Sequence, residues 1–186
     1  MRASLNFIFN MANARVDETC VLTYNQPLTI KSGLSAMSDA LHISPTARKF
    51  GYPQTLIAET RDWLVLLRPQ QVTLGSLVLL CREPVTAFGD VSPGALECLH
   101  PVLKRTERML QDMVSYQKIN YLMLMMVDPD VHFHVFPRYE GMREYHGQTL
   151  ADAGWPGPPR LDSGVALPVE LQNALAADLR ARWGGA

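Results

Sequence analysis

The twelve residues Asp128-Pro129-Asp130-Val131-His132-Phe133-His134-Val135-Phe136-Pro137-Arg138-Tyr139 read as a strand with two chemically different faces. Val131, Phe133 and Val135 alternate with Asp130, His132 and His134. Successive side chains of a strand point to opposite faces, so the apolar residues share one face and the acid and both imidazoles share the other. Two imidazoles about 7 Å apart on one strand face, beside a carboxylate, are not a usual core filling. Pro137 has no N–H for a sheet ladder and is expected to end the pairing, with Arg138 placed where the chain leaves the strand.

Working upstream, Ile119 to Val127 is expected to be the preceding strand, its methionines Met123, Met125 and Met126 packing on the sheet. Before it, Ser92-Pro93 signals a helix start, a serine N-cap with proline at the first helical position. Leu96, Leu99, Leu103, Met109, Leu110 and Met113 then form an apolar stripe that predicts an amphipathic helix to about Tyr116. Residues 55–60, 63–68 and 76–81 read as three strands, with a turn at Arg61-Asp62 and a loop over 69–75. Their short spacing argues an antiparallel meander, because parallel crossovers need a dozen or more residues. Ser44 to Tyr52 reads as a lead-in with one short helix.

Downstream of Tyr139 the pattern loosens. Gly154-Trp155-Pro156-Gly157-Pro158-Pro159 is turn and extended chain. Pro168 opens a final helix from Val169 to Trp183, with Leu171, Leu175, Leu179 and Trp183 four residues apart. The class is therefore α+β, a sheet of about five antiparallel strands covered by an amphipathic helix, plus a C-terminal helix. The expected division is an N-terminal extension over 1–44, a domain over 45–150, and a Pro/Gly-rich segment with a helix packing on the domain over 151–186. Thr19 to Ile30 is expected to hold one or two short strands. Residues 1–36 are expected to be an upstream extension with little role in the chemistry, and Met37 is a candidate internal start.

The chain has 186 residues, 47% of them hydrophobic, enough for a sizeable core. A net charge of −1 leaves no basic field for a nucleic-acid partner. Cys20, Cys81 and Cys98 have no metal-ligand spacing and read as reduced thiols of a cytoplasmic protein. No apolar run is long enough to span a membrane.

The motif Asp130-Val131-His132-Phe133-His134-Val135-Phe136 resembles the histidine-triad (HIT) signature, in which three histidines alternate with apolar residues; Asp130 stands where the first histidine would be. The continuation Phe136-Pro137-Arg138-Tyr139 is similar to the branch that includes diadenosine tetraphosphate hydrolases. The order of elements extends the resemblance over about residues 45–150. It implies a HIT-like fold, a homodimer, no metal or other cofactor, and a nucleotide or dinucleotide substrate. His132 matches the middle histidine, which in the family attacks the α-phosphorus to form a nucleotidyl-imidazole that water hydrolyses. Imidazole suits that task, being neutral and nucleophilic near pH 7 and a good leaving group when protonated. The other ring nitrogen donates to a backbone carbonyl at the first motif position, which Asp130 still supplies. His134 matches the third histidine and would bond a phosphate oxygen or assist the leaving group.

Arg138 and Arg68 are candidates to offset phosphate charge, and Gln70, Gln71, Thr73 and Ser76 to line the substrate. The alternative for Arg138 is a solvated or strand-capping arginine, and for the loop residues an ordinary loop. Gly75-Ser76 stands where the family commonly has a Gly-His or Thr-His pair, and Arg68 near where an Asp or Asn often holds the ribose. Asp130 is expected to turn toward Arg138 or to raise the pKa of one histidine. Two rival readings stand beside the enzyme: a nucleotide-binding module with little turnover, and a metal site built on Asp130, His132 and His134.

Overall fold

A computed structural model describes residues 43–185. The readings of residues 1–36, of short strands between Thr19 and Ile30 and of a start at Met37 lie outside the described residues. Ser44 caps α1 (Pro45–Lys49), its Oγ accepting from the Ala47 amide at 3.2 Å. Phe50 ends that helix. Then follow β1 (Leu56–Glu59), β2 (Trp63–Leu67), β3 (Gln70–Gln71) and β4 (Leu77–Cys81). Ser92 caps α2 (Pro93–Val114) in the same way, accepting from the Ala95 amide at 3.2 Å. The chain continues through β5 (Lys118–Leu122), β6 (His132–Arg138), β7 (Met142–Tyr145), β8 (Gln148–Ala151), β9 (Val165–Ala166) and α3 (Val169–Gly184).

Five strands form one antiparallel sheet in the order β1-β2-β4-β6-β5. The first three run in chain order, as a meander does. After α2 the order reverses, so β5 lies at the edge and the histidine strand β6 is central. Trp63, Val65 and Leu67 of β2 and Leu77, Leu79 and Cys81 of β4 face one side, joining Ala95, Val102, Met109 and Leu110 of α2 and Leu175, Leu179 and Trp183 of α3 in the larger core cluster. Leu64, Leu66, Val78 and Leu80 face the other side, where Ala47, Phe50 and Leu56 complete a smaller cluster. Each fully buried Leu contributes about 1.5–3 kcal/mol, so the α2 side carries most of the stability.

Several local expectations need correction. Pro137 does not end the pairing but sits inside β6 opposite Ile119. Register with β4 stops at Val135, so from there β6 has one paired neighbour, an edge-like position that admits proline. The strand expected to reach Val127 stops at Leu122, and Met126 and Val127 are 91% and 81% exposed. The α2 stripe runs through Ala95, Leu99, Val102, Thr106, Met109 and Val114, and Leu96 lies off it. The segment after Tyr139 holds a hairpin, β7–β8, turning at His146-Gly147, both with positive φ (49° and 81°), as a two-residue hairpin turn requires. Cys98 is disulfide-bonded, against the reduced-thiol expectation, and Cys81 is a free buried thiol. No helix among the described residues is long and apolar enough to cross a membrane.

Candidate functional site

Register places the histidines. His132 pairs with Leu80 and His134 with Val78, so both rings lie on the side of the smaller cluster, beneath α1 and Phe50. Phe133 faces the opposite side, tilted against Trp63 and edge-on to Phe88. The alternation read from the sequence is thus realised in β6.

His132 is fully buried. Its Nδ1 lies 2.7 Å from the Asp130 carbonyl oxygen. A carbonyl only accepts, so Nδ1–H donates, and the neutral ring carries its lone pair on Nε2. Nε2 is itself buried and has no hydrogen-bond partner among the described residues. The His134 ring stands at 88° to it with centroids 4.9 Å apart, and its Nδ1 is likewise buried and unpartnered. Asp130 Oδ2 and Arg68 Nε share that condition. Buried polar atoms are nearly always bonded, because leaving one unpaired costs about 1–3 kcal/mol. With four such atoms on His132, His134, Asp130 and Arg68, this face is the candidate place for a polar ligand.

Aromatic rings frame this place. Phe50 lies 5.7 Å from His132 and 5.6 Å from His134, centroid to centroid. Phe136 stacks on His134 at 6.1 Å, and the Arg68 guanidinium lies 5.9 Å from the Phe136 centroid. Burial pushes the His134 pKa down to about 4; the neighbouring His132, Arg68 and Lys49 charges act in the same direction, and Asp128 opposes them. His134 is therefore a neutral hydrogen-bonding group at neutral pH. Burial also lowers the Arg68 pKa.

Of the residues singled out in the sequence, His132, His134, Asp130 and Arg68 come together. The others are engaged elsewhere. Arg138 is 3% exposed and forms a two-pronged ion pair with Asp152, Nε to Oδ2 at 2.6 Å and Nη2 to Oδ1 at 3.0 Å. Two further donors reach Asn120 Oδ1 and the Gly157 carbonyl. Four of its five N–H donors are thus committed within the protein, and none of these bonds is to Asp130. Nor does Asp130 raise the His134 pKa: the acid that opposes the downward shift is Asp128.

Gln71, Thr73 and Ser76 are buried and tie the β3–β4 loop. Gln71 Oε1 accepts from the Gly75 and Ser76 amides at 2.9 Å, and Ser76 Oγ donates to the Thr73 carbonyl at 2.6 Å. Gly75 holds φ +85° there, and a Cβ would meet Leu110 Cδ2 at 3.0 Å. Gln70 is exposed on β3, which pairs with β9, and its carbonyl accepts from Arg68 Nη1. Among the described residues no group of three or more His, Cys, Asp or Glu is placed to hold a metal ion.

Sequence reasoning missed Phe50, Lys49 and Asp128. Lys49 Nζ donates to both Asp128 carboxylate oxygens, at 2.6 and 2.9 Å, joining α1 to the link before β6. Only Asp128, inside the histidine stretch, stood near a visible signal.

No protein-family model and no curated protein matches the sequence. Solved structures do match it. A hypothetical histidine triad nucleotide-binding protein from Sulfolobus tokodaii is 18% identical at a TM-score of 0.54, over 70% of this chain and 84% of that one. A histidine triad protein from Bradyrhizobium japonicum is 21% identical at 0.54, over 68% and 88%. A diadenosine triphosphate hydrolase from Plasmodium falciparum, solved with cyclomarin A, is 8% identical at 0.51, over 69% and 76%. At these identities the likeness establishes the fold, which is that of histidine-triad proteins.

Proposed function

We propose that this chain is a nucleotide phosphoanhydride hydrolase or nucleotidyl transferase of HIT type, acting on dinucleoside polyphosphates or related adenylylated compounds. The observation that carries the reading is the bond from His132 Nδ1 to the Asp130 carbonyl. It fixes the tautomer whose Nε2 lone pair is available, and it uses a backbone group that the aspartate at the first motif position leaves intact. Nε2 attacks the α-phosphorus, an N–P bond forms, and the P–O bond to the leaving nucleotide breaks. Water then attacks the same phosphorus, the P–N bond breaks, and nucleoside monophosphate departs. His134, neutral in this setting, donates a hydrogen bond to a phosphate or leaving-group oxygen. Positive charge toward the phosphates comes from Arg68, which lies on this face.

A second reading, nucleotide binding with little turnover, is favoured by the complete burial of His132. Hydrolysis of a panel of dinucleoside polyphosphates and adenylylated amines by the parent and by His132→Ala separates the two. The enzyme reading expects turnover in the parent, and loss of it in the variant with nucleotide affinity kept, because a covalent nucleophile acts in the transition state rather than in binding. Variant activity within about tenfold of the parent, a difference of about 1.4 kcal/mol, contradicts the assignment.

A further inference from the structure

His132 Nε2 must meet a phosphorus atom in line, yet it is buried, and the Phe50 ring packs against its imidazole with centroids 5.7 Å apart. Phe50 caps the end of a short element. α1 has five residues, too few to hold itself as an isolated helix; it buries Thr46 and Ala47, and the Phe50 carbonyl that follows it accepts from Thr55 Oγ1 at 2.7 Å. What ties its end to the histidine strand is the ion pair of Lys49 with Asp128, its lysine 51% exposed. Asp128 in turn sits between the exposed Met126-Val127 and the start of β6. The covering element, the pair that fastens it and the buried nitrogens beneath thus form one unit.

We propose that α1 and Phe50 are a gate over His132 and His134, fastened by the Lys49–Asp128 pair and opened by an anionic ligand that competes for Lys49. Opening uncovers Nε2 without disturbing the Asp130 carbonyl, which lies on β6's own approach, so the nucleophile keeps its tautomer in both states. The electrostatic influence of Lys49 and Asp128 on His134 is in keeping with their closeness to the site. That the ligand is a nucleotide phosphate rests on the function proposed above; the gate itself does not.

The test uses diethyl pyrocarbonate, a small electrophile that carries no nucleotide. It transfers an ethoxycarbonyl group to a neutral imidazole nitrogen, releasing ethanol and carbon dioxide. Peptide fragmentation reads the rate at His132 against the exposed His100 and His146 in the same sample. In the full-length parent, His132 is expected to react at least about tenfold more slowly than His100. In Asp128→Asn and in Lys49→Gln it is expected to accelerate about two- to fivefold, the effect of losing an exposed ion pair, while His100 is unchanged. Added salt is expected to accelerate the parent but not the variants. Phe50→Ala should accelerate His132 further, and its thermal melt, read beside that of the conservative Asp128→Asn, separates gate opening from unfolding. Equal rates at His132 and His100 in the parent, or no change in either ion-pair variant, overturns the gate. Protected His132 in a chain that hydrolyses no nucleotide leaves the gate standing and removes the enzyme, whereas turnover with freely reactive His132 does the reverse.

Discussion

His134 makes the fold sensitive to acid. Its imidazole titrates near 6.5 when free and at about 4 in the fold, chiefly because burial disfavours the charged ring. Between those values the unfolded chain binds a proton that the folded chain excludes. This contribution to stability is therefore complete above about pH 6.5 and is lost as pH falls toward 4, at up to about 1.4 kcal/mol per pH unit. Urea midpoints of the parent should fall across that window, and His134→Gln should flatten the fall. An identical slope in the variant would assign the acid sensitivity to other groups. The histidines and their shared face were legible in the sequence because a two-residue period is a local signal. Phe50 was not, since nothing local says that a ring some eighty positions upstream will rest on His132. The ion pair of Arg138 was hidden for a similar reason: its partner Asp152 lies beyond a hairpin that hydrophobic periodicity did not reveal.

At the scale of elements, that pair fastens β6 to the end of the β7–β8 hairpin and, through the Gly157 carbonyl, to the Pro/Gly-rich segment. Both side chains are almost fully buried, 3% and 0% exposed. Removing one partner strands a charge in the interior, at a cost of about 3–5 kcal/mol. Asp152→Ala should accordingly lower chemical stability by that order in equilibrium unfolding. A role of Arg138 in holding phosphate would instead show as weaker substrate binding at unchanged stability. The cap at Ser92 was legible, being a hydroxyl followed by proline at the helix start, and the short helix after Ser44 was expected without its cap. The hairpin turn His146-Gly147 carried a weaker sign, since only glycine there advertises its positive φ. The early end of β5 carried none: it stops at Leu122 opposite His134, although β6 extends to His132.

Across the whole molecule the sheet divides the work. The side under α2 and α3 holds the larger core, and the side under α1 holds the histidines and a thin apolar cover. The α+β class followed from the sequence because long periodic elements announce themselves. The strand order did not, because moving β6 inside β5 alters pairing partners without altering any period. The division matters for chemistry: a nucleophile on the lightly covered side is reached without breaching the main core. The central claim is that His132 becomes covalently nucleotidylated. The direct measurement is peptide mass mapping after rapid alkaline quench of the parent turning over a dinucleoside polyphosphate, because a protonated imidazole would be lost from phosphorus in acid. The account predicts a nucleoside monophosphate increment on the peptide bearing His132, absent in His132→Ala. Turnover with no adduct on His132 at any quench time would contradict it.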